Sequence, residues 1–153
     1  MHRAIPKLYK SKYYSDNRGF LIKNSSTEKN SFSQNFRDTY ISISNKNVFR
    51  GFHYQKKPFL QEKFFTIVKG EIDLYCLNIN NFDEYFRFSM TPEKGLSLYV
   101  PRGWATGIHS LDKESIVFYS SNQIYKSECQ ITINYRVVKC LRDKEFIISR
   151  NDS

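Results

Sequence analysis

Short runs of alternating apolar and polar residues dominate this chain. The clearest alternating runs are Tyr40–Ser44, Glu71–Cys76, Leu96–Val100 and Gln130–Asn134. Phe64–Val68 is a dense apolar run, and Ser115–Tyr119 is another candidate strand. Alternation with a period of two places successive side chains on opposite faces of a strand. Turn residues such as those in Asn45–Asn47, Pro92–Gly95 and Arg102–Gly103 separate the runs. The pattern therefore predicts a series of short β-strands joined by turns.

Long amphipathic helical patterns are missing from the sequence, and Pro92–Lys94 offers at most a single helical turn. Many short strands at this spacing are typical of an antiparallel sandwich or barrel. The 153 residues predict one all-β domain that spans residues 1–153. The segment Asn24–Asn35 is rich in Ser, Asn and Lys, which predicts a loop or a mobile arm.

The composition indicates a folded globule with an excess of positive charge. Apolar residues make up 40% of the chain and aromatic residues 16%, which argues against disorder. The net charge of +9 has three explanations: a solvated lysine-rich surface, a site for an anionic small molecule, or nucleic-acid binding. The basic residues are scattered rather than gathered into one stripe, which disfavours nucleic acid.

The cysteines and the N-terminus indicate the compartment. Cys76, Cys129 and Cys140 are odd in number and lack C-x-x-C spacing, which disfavours a disulfide framework or a zinc site. Reduced thiols in a cytoplasm are the simplest account. The first residues contain no apolar signal-peptide core, and no apolar run approaches the length of a membrane span. We therefore expect a cytoplasmic protein without a membrane partner.

The run Arg50–Gln55 and the later Lys63 carry the clearest candidate chemistry. Arginine can bind phosphate oxygens with two N–H groups. Histidine can take up a proton near neutral pH. Lysine can stabilise an oxygen that becomes negative. If Arg50, His53 and Lys63 face one cavity, they suit a phosphorylated ligand with an acidic C–H bond.

Two other interpretations of His53 are a packed core residue and a metal ligand. A histidine among aromatic residues is more often part of the core, but polar neighbours on a strand must be paired or functional. A metal would need further ligands at close spacing. Gln55 occupies the position two residues on, and alternation directs Glu62 away from the Lys63 face. These features disfavour a metal, and we expect none.

Several sequence blocks resemble the dTDP-4-dehydrorhamnose 3,5-epimerase family, whose fold is a cupin-type jelly roll. The match extends over nearly the whole chain. The blocks that follow the family pattern are Asp16–Phe20, Ser42–Ser44, Val48–Gln55, Gln61, Lys63, Gly70–Asp73, Val100–Ala105, Tyr119, Tyr125 and Ile148–Asp152. The most specific are the D-x-R-G-F block and the R-G-x-H-[YF]-Q block with its following lysine.

The resemblance implies a homodimeric enzyme that epimerises a nucleotide-linked 4-keto-6-deoxy sugar at C3, C5 or both, in surface-glycan biosynthesis and without a cofactor. It implies that His53 is the general base, Tyr119 the general acid and Lys63 the group beside the 4-keto oxygen. Substrate-binding positions implied by the match are Arg18, Arg50, Gln55, Thr106, Tyr125 and Tyr135.

The chain departs from the family pattern at two positions. Thr106 replaces a histidine in the block after Pro101, and Tyr135 stands where the family has the aspartate that supports the base. A carboxylate behind a histidine fixes its tautomer and stabilises the imidazolium. We therefore expect His53 to lack its usual carboxylate and to be a weaker base.

Three explanations of this loss stay open. Another acidic residue, from a loop or the second subunit, takes the role; the outcome differs, for example inversion at C3 alone; or the chain is a catalytically impaired sugar-nucleotide-binding cupin. A further alternative is a sugar-nucleotide 3,4-ketoisomerase, whose group carries R-G-x-H-x-H. Gln55 at the second histidine position argues against that activity.

Overall fold

The computed structural model describes residues 4–23 and 36–152, which form β-strands and a few short 3₁₀ turns. In chain order the strands are Lys7–Lys10 (β1), Lys12–Asp16 (β2), Gly19–Lys23 (β3), Asp38–Asn45 (β4), Phe49–Gln55 (β5), Lys63–Lys69 (β6), Ile72–Asn78 (β7), Tyr85–Met90 (β8), Leu96–Val100 (β9), Trp104–Ser110 (β10), Glu114–Ser121 (β11) and Gln130–Thr132 (β12). The 3₁₀ turns are Pro92–Lys94, Ser127–Cys129, Tyr135–Val137 and Arg150–Asp152.

Ten of these strands form two five-stranded antiparallel sheets. The first sheet has the order β1-β9-β6-β11-β4, and the second has the order β12-β5-β10-β7-β8. Strands β2 and β3 pair with each other as a separate hairpin. Strands distant in sequence are neighbours in both sheets. The predicted all-β antiparallel jelly-roll class is confirmed.

The core has two parts, one on each face of the second sheet. Strand β7 is buried along its whole length. Its residues alternate between the parts: Leu74 and Cys76 belong to the cluster shared with the first sheet. Tyr75 and Leu77 belong to a second cluster, which the C-terminal part of the chain covers. The second sheet is therefore the middle layer of the molecule, and the C-terminal segment is the third.

All six predicted runs overlap strands, and the helical turn at Pro92–Lys94 is confirmed. Strand β12 ends at Thr132, two residues before the predicted end at Asn134. The sequence pattern missed β1, β2, β3, β8 and β10. Strand β10 is buried on both faces and contains a glycine, so it shows no alternation. The predicted loop at Asn24–Asn35 lies outside the described residues.

Gly51 explains why β5 can lie so close to β10. Its φ angle is +122°, a conformation that glycine adopts readily. An added Cβ atom would collide with the carbonyl oxygen of Thr106. The close approach pairs His53 with Thr106 across β5 and β10.

None of the helical segments in the described part of the chain is long and apolar enough to cross a membrane.

Candidate active site

A cavity of about 420 Å³ opens between the two sheets. This volume is in the range of small-molecule sites. Residues of the first sheet in its wall are Tyr40, Ser42, Lys63, Phe65 and Tyr119, and those of the second sheet are Arg50, His53, Thr106, Ile108, Gln130 and Thr132. Gln61, Tyr125, Ser149, Asn151 and Asp152 complete the wall. The wall of the cavity thus combines aromatic, basic and acidic side chains.

His53 does have a carboxylate partner, namely Asp152. The distance between His53 Nε2 and Asp152 Oδ1 is 2.6 Å. Asp152 is 4% exposed, and a buried carboxylate of this kind requires a hydrogen-bonding partner. The expectation that His53 lacks its supporting carboxylate is therefore wrong. The acidic residue comes from the C-terminal 3₁₀ turn, which is the first of the three explanations left open.

Tyr135 is not in the cavity wall, because the backbone leaves β12 before reaching it. Asn134 accepts a hydrogen bond from the Arg136 N–H and begins the 3₁₀ turn Tyr135–Val137. The Tyr135 ring is buried in the second core cluster, and its hydroxyl donates to the Lys144 carbonyl at 3.0 Å. The signal that could have identified the carboxylate was the terminal block Ile148–Asp152, which matched the family pattern.

Opposing effects set the pKa of His53. Burial lowers the pKa of His53 below its ordinary value, and the charges of Lys63 and Arg50 lower it further. The charge and the hydrogen bond of Asp152 act in the opposite direction. The net lowering keeps the imidazole neutral at pH 7. A neutral imidazole that donates its Nε2 proton to Asp152 retains a lone pair on Nδ1, which makes it competent as a base.

Lys63 is held by two uncharged oxygens. Its Nζ donates to Thr106 Oγ1 at 3.1 Å and to the His53 carbonyl oxygen at 3.4 Å. Burial lowers the pKa of Lys63 to about 8. At neutral pH most of the population still carries the charge. An ammonium group in a partly dehydrated site stabilises a developing oxyanion more strongly than it would in water.

Tyr119 lies on the opposite sheet from His53. Its ring stacks between Tyr40 and Phe65, with centroid distances of 4.8 Å and 5.0 Å. Cross-strand pairing in the first sheet explains this row, because Tyr119 is opposite Tyr40 on β4 and opposite Phe65 on β6. Burial raises the pKa of Tyr119, so the phenol keeps its proton at neutral pH. A protonated phenol of this kind can act as an acid.

Arg50 has a guanidinium group at the cavity wall. Its Nε donates to Ser44 Oγ at 2.8 Å, and its Nη2 donates to the Ile43 carbonyl at 3.0 Å. These two bonds orient the planar group and use only part of its donor set. The hydroxyl of Ser42, also in the wall, has no hydrogen-bond partner within residues 4–23 and 36–152. Both groups can receive an oxygen-rich anion.

The structure brings together six of the predicted site residues: Arg50, His53, Lys63, Thr106, Tyr119 and Tyr125 all line the cavity. Gln55 does not. It is fully buried, and its amide donates to the carbonyls of Phe59 and Ile124. The Gln55 oxygen also accepts from the Lys126 N–H. Gln55 therefore holds the loop that carries Tyr125 and does not reach the cavity.

Arg18 also lies outside this cavity. It is in the turn of the β2–β3 hairpin, where its guanidinium forms an ion pair with Asp16. The side chain of Arg18 is 86% exposed.

In the described part of the chain, no group of three or more His, Cys, Asp or Glu side chains is placed to hold a metal ion.

Comparison with known proteins gives consistent matches. Residues 5–153 match the family model described as dTDP-4-dehydrorhamnose 3,5-epimerase. A curated protein of that name from Shigella flexneri is 27% identical over 133 residues, which are 77% of this chain and 70% of that protein. The segments matched in six curated proteins of this name occupy between 41% and 76% of their lengths.

Solved structures show the same fold. The crystal structure of dTDP-4-dehydrorhamnose 3,5-epimerase from Sulfolobus tokodaii is 31% identical and superposes with a TM-score of 0.85, covering 96% of this chain and 86% of that one. The structure of an epimerase from Legionella pneumophila Philadelphia 1, in complex with dTDP-4-keto-L-rhamnose, is 22% identical with a TM-score of 0.83. It covers 96% of this chain and 84% of that chain.

Proposed function

This chain belongs to the dTDP-4-dehydrorhamnose 3,5-epimerase family, and from that premise we propose that it epimerises a nucleotide-linked 4-keto-6-deoxy sugar at C3, C5 or both. The observation that carries the proposal is the 2.6 Å contact between His53 and Asp152 at the wall of a cavity that also contains Lys63 and Tyr119. A supported base, a cation and an acid are the groups that this reaction requires.

The proposed reaction proceeds through an enolate. The ketone at C4 acidifies the hydrogens on C3 and C5, and His53 removes one of them as a proton. Asp152 stabilises the imidazolium that results. Lys63 stabilises the negative oxygen at C4. Tyr119, from the other sheet, returns a proton to the opposite face of the carbon, which inverts the centre. His53 then releases its proton to water and the Tyr119 phenolate takes one up from water, which restores both groups.

The binding site for the nucleotide diphosphate follows from charge and position. Arg50 binds a phosphate oxygen through its remaining N–H groups. Tyr125, which lines the cavity and is half exposed, packs against the ligand. The Ser42 hydroxyl, which has no hydrogen-bond partner among the residues that the structure describes, donates to an oxygen of the sugar or the phosphate. The names of the relatives point to dTDP as the nucleotide. We place the reaction in surface-glycan biosynthesis, and we propose that the protein acts in the cytoplasm.

We also propose a homodimer, because the first sheet and the hairpin both leave apolar side chains in solvent. Ile41 and Ile43 project from the outer face of β4, an edge strand of its sheet. Phe20 and Leu21 are exposed on β3. A two-stranded hairpin is marginally stable without further packing, and an apolar edge invites pairing. A second copy of the chain covers both surfaces in this proposal.

The dimer gives Arg18 a role that its own cavity does not. Arg18 is in the turn of the exposed hairpin, away from the cavity of the same subunit. A hairpin that packs on the partner can place its turn at the partner's cavity. We propose that Arg18 binds the diphosphate there, after exchanging its ion pair with Asp16 for the ligand. The active site then contains residues of both subunits.

Solvent deuterium tests the proposed reaction. The protein is incubated in D₂O with a dTDP-linked 4-keto-6-deoxy sugar, and deuterium at C3 and C5 is measured by NMR. We expect exchange and inversion in the wild type, and no exchange in His53→Asn at nearly unchanged affinity for dTDP. Tyr119→Phe should retain exchange better than inversion.

Each of the other outcomes would indicate a different function for this protein. Binding of dTDP without any exchange would leave a sugar-nucleotide-binding cupin and reject the epimerase. A product with its carbonyl moved to C3 would indicate a 3,4-ketoisomerase. A large loss of dTDP affinity in His53→Asn would make His53 a binding or structural residue rather than the base.

A further inference from the structure

Asp38 lies at the start of β4 and accepts two hydrogen bonds from the aromatic side of the cavity. Its Oδ2 accepts from the hydroxyl of Tyr40 at 2.7 Å and from the backbone N–H of Tyr125 at 2.8 Å. Tyr40 and Tyr125 both line the cavity, whereas Asp38 does not. One carboxylate oxygen therefore connects a strand of the first sheet to the loop that follows β11.

The bond to Asp38 fixes the ring on which Tyr119 stacks. A phenol ring can turn about its side-chain bonds unless its hydroxyl is anchored. The Tyr40 ring is nearly parallel to the Tyr119 ring, with an interplanar angle of 16°. Phe65 contacts the other face of Tyr119 at an interplanar angle of 27°. Tyr119 is thus clamped between two rings, and Asp38 holds one of them.

The charge of Asp38 keeps this arrangement in one protonation state. The pKa of Asp38 is lowered by its hydrogen bonds with Tyr40 and the Tyr125 N–H, so the carboxylate stays ionised at neutral pH. Burial and the neighbouring Asp38 raise the pKa of Tyr40, so its hydroxyl stays a donor. An ionised acceptor and a protonated donor form a strong hydrogen bond, which suits a positional role.

We propose that Asp38 is a positioning residue for the second-face proton transfer: through Tyr40 it holds Tyr119 where the proton must be delivered, and through the Tyr125 N–H it holds the adjoining wall. The proposal rests on the proposed epimerase function. It assigns no contact between Asp38 and the substrate. Small displacements of a reacting group cost large factors in rate, so loss of this anchor should impair reprotonation more than proton removal by His53.

The ratio of deuterium exchange to net inversion tests this role. We expect Asp38→Ala to raise that ratio about tenfold, because Tyr119 is no longer held in its reactive position. Tyr40→Phe keeps the stacked ring but loses the anchor, and should raise the ratio in the same direction. Asp38→Asn retains an oxygen that accepts both hydrogen bonds, and should restore a ratio near that of the wild type.

Glu114→Ala is the matched control. Glu114 is also on the first sheet and also binds a partner, Lys69 at 2.8 Å, but this partner does not line the cavity, unlike Tyr40 and Tyr125. The ratio should be unchanged in this variant. An Asp38→Ala protein that loses exchange and inversion in equal proportion would show a purely structural role and overturn the proposal. An Asp38→Asn protein that behaves like Asp38→Ala would overturn the hydrogen-bond mechanism.

A measurement without substrate separates this proposal from the proposed function. The ring signals of Tyr119 in ¹³C-tyrosine-labelled protein, assigned with Tyr119→Phe, should shift and broaden in Asp38→Ala but not in Glu114→Ala. Unchanged Tyr119 signals would refute the positioning role even if the wild type is an active epimerase. If the wild type shows no exchange, the epimerase is rejected and these signals alone decide whether Asp38 holds Tyr119.

Discussion

Among single residues, Asp152 has the clearest consequence for pH dependence. Its charge and its hydrogen bond both raise the pKa of His53, against the lowering by burial. Because the base must be neutral, activity rises with pH through the pKa of His53. Asp152→Asn removes the charge, which is the larger of the two raising effects, so the acidic limb of the kcat/KM profile should move to lower pH. The maximal rate should fall by between about 10²- and 10⁴-fold.

A pH–rate profile of the variant and the wild type measures both effects. Asp83→Asn is the control, because Asp83 is an exposed surface acid with only a 3.8 Å ion pair to Lys139. It should leave the profile unchanged. A reduced rate with an acidic limb that stays in place or moves to higher pH would contradict the role given to Asp152.

The residue scale also shows what sequence patterns can and cannot reveal. The residue types of Arg50, His53 and Lys63 indicated the chemistry they would suit if they faced one cavity, and all three line it. Alternation alone does not place Arg50 and His53 on one face, because they are three positions apart; a register shift between them in the β5–β10 pairing accounts for it. The position of the carboxylate that supports His53 was predicted wrongly. The family pattern placed it at Tyr135, which instead begins a 3₁₀ turn. Asp152 contacts His53 across 99 positions of sequence, and no local rule predicts such a contact.

Among structural elements, the C-terminal segment supports His53, the proposed base. Its backbone is hydrogen-bonded to the chain at the start of β5. The N–H of Phe49 donates to the Ile147 carbonyl at 3.0 Å, and the N–H of Ile147 donates to the Asn47 carbonyl at 2.9 Å. Phe146 anchors it by packing on Phe49 and Tyr135, with centroid distances of 5.1 Å and 4.9 Å. The anchored segment places the 3₁₀ turn that carries Asp152.

We expect Phe146→Ala to loosen this segment and to lower exchange at C3 and C5 more than it lowers dTDP affinity. Loss of a partly buried phenylalanine should cost about 3 kcal/mol of unfolding free energy. Amide hydrogen exchange at Ile147 and the epimerase assay measure the two effects. Ile147→Ala is the control, because this side chain is 58% exposed in the same segment. Full protection at Ile147 with reduced activity would argue against the anchoring role.

Burial and short length account for part of what the sequence pattern missed at this scale. Strands with one solvent-facing side, such as β4, showed their alternation and were predicted. Strand β10 is buried on both faces, and its residues carry no alternating signal. The 3₁₀ turn at Arg150–Asp152 has three residues, too few for any periodic pattern. These elements are set by tertiary packing, which a local pattern does not encode.

At the scale of the whole molecule, the proposed sharing of the active site between subunits predicts complementation between inactive subunits. In mixed dimers of Arg18→Ala and His53→Asn subunits, one of the two sites contains a wild-type His53 and the partner's wild-type Arg18. Random exchange of subunits should therefore restore about a quarter of the wild-type activity. Activity is measured with the substrate at a concentration below its KM. The oligomeric state is measured by size-exclusion chromatography.

Two results would contradict this arrangement. Mixtures no more active than the separate variants would mean that Arg18 acts within its own subunit or not at all. A monomer in solution at assay concentrations, with full activity, would remove the homodimer. The control pair is Arg37→Ala mixed with His53→Asn. Arg37 is an exposed basic residue outside the cavity wall. This mixture should show no activity beyond that of its Arg37→Ala subunits.

The distance along the chain between His53 and Asp152 has a consequence for synthesis on the ribosome. Every strand of both sheets precedes residue 133, so a nascent chain can assemble its sheets before the C-terminal turn emerges. A partly synthesised chain can thus acquire the architecture of the protein before it acquires the means to move a proton.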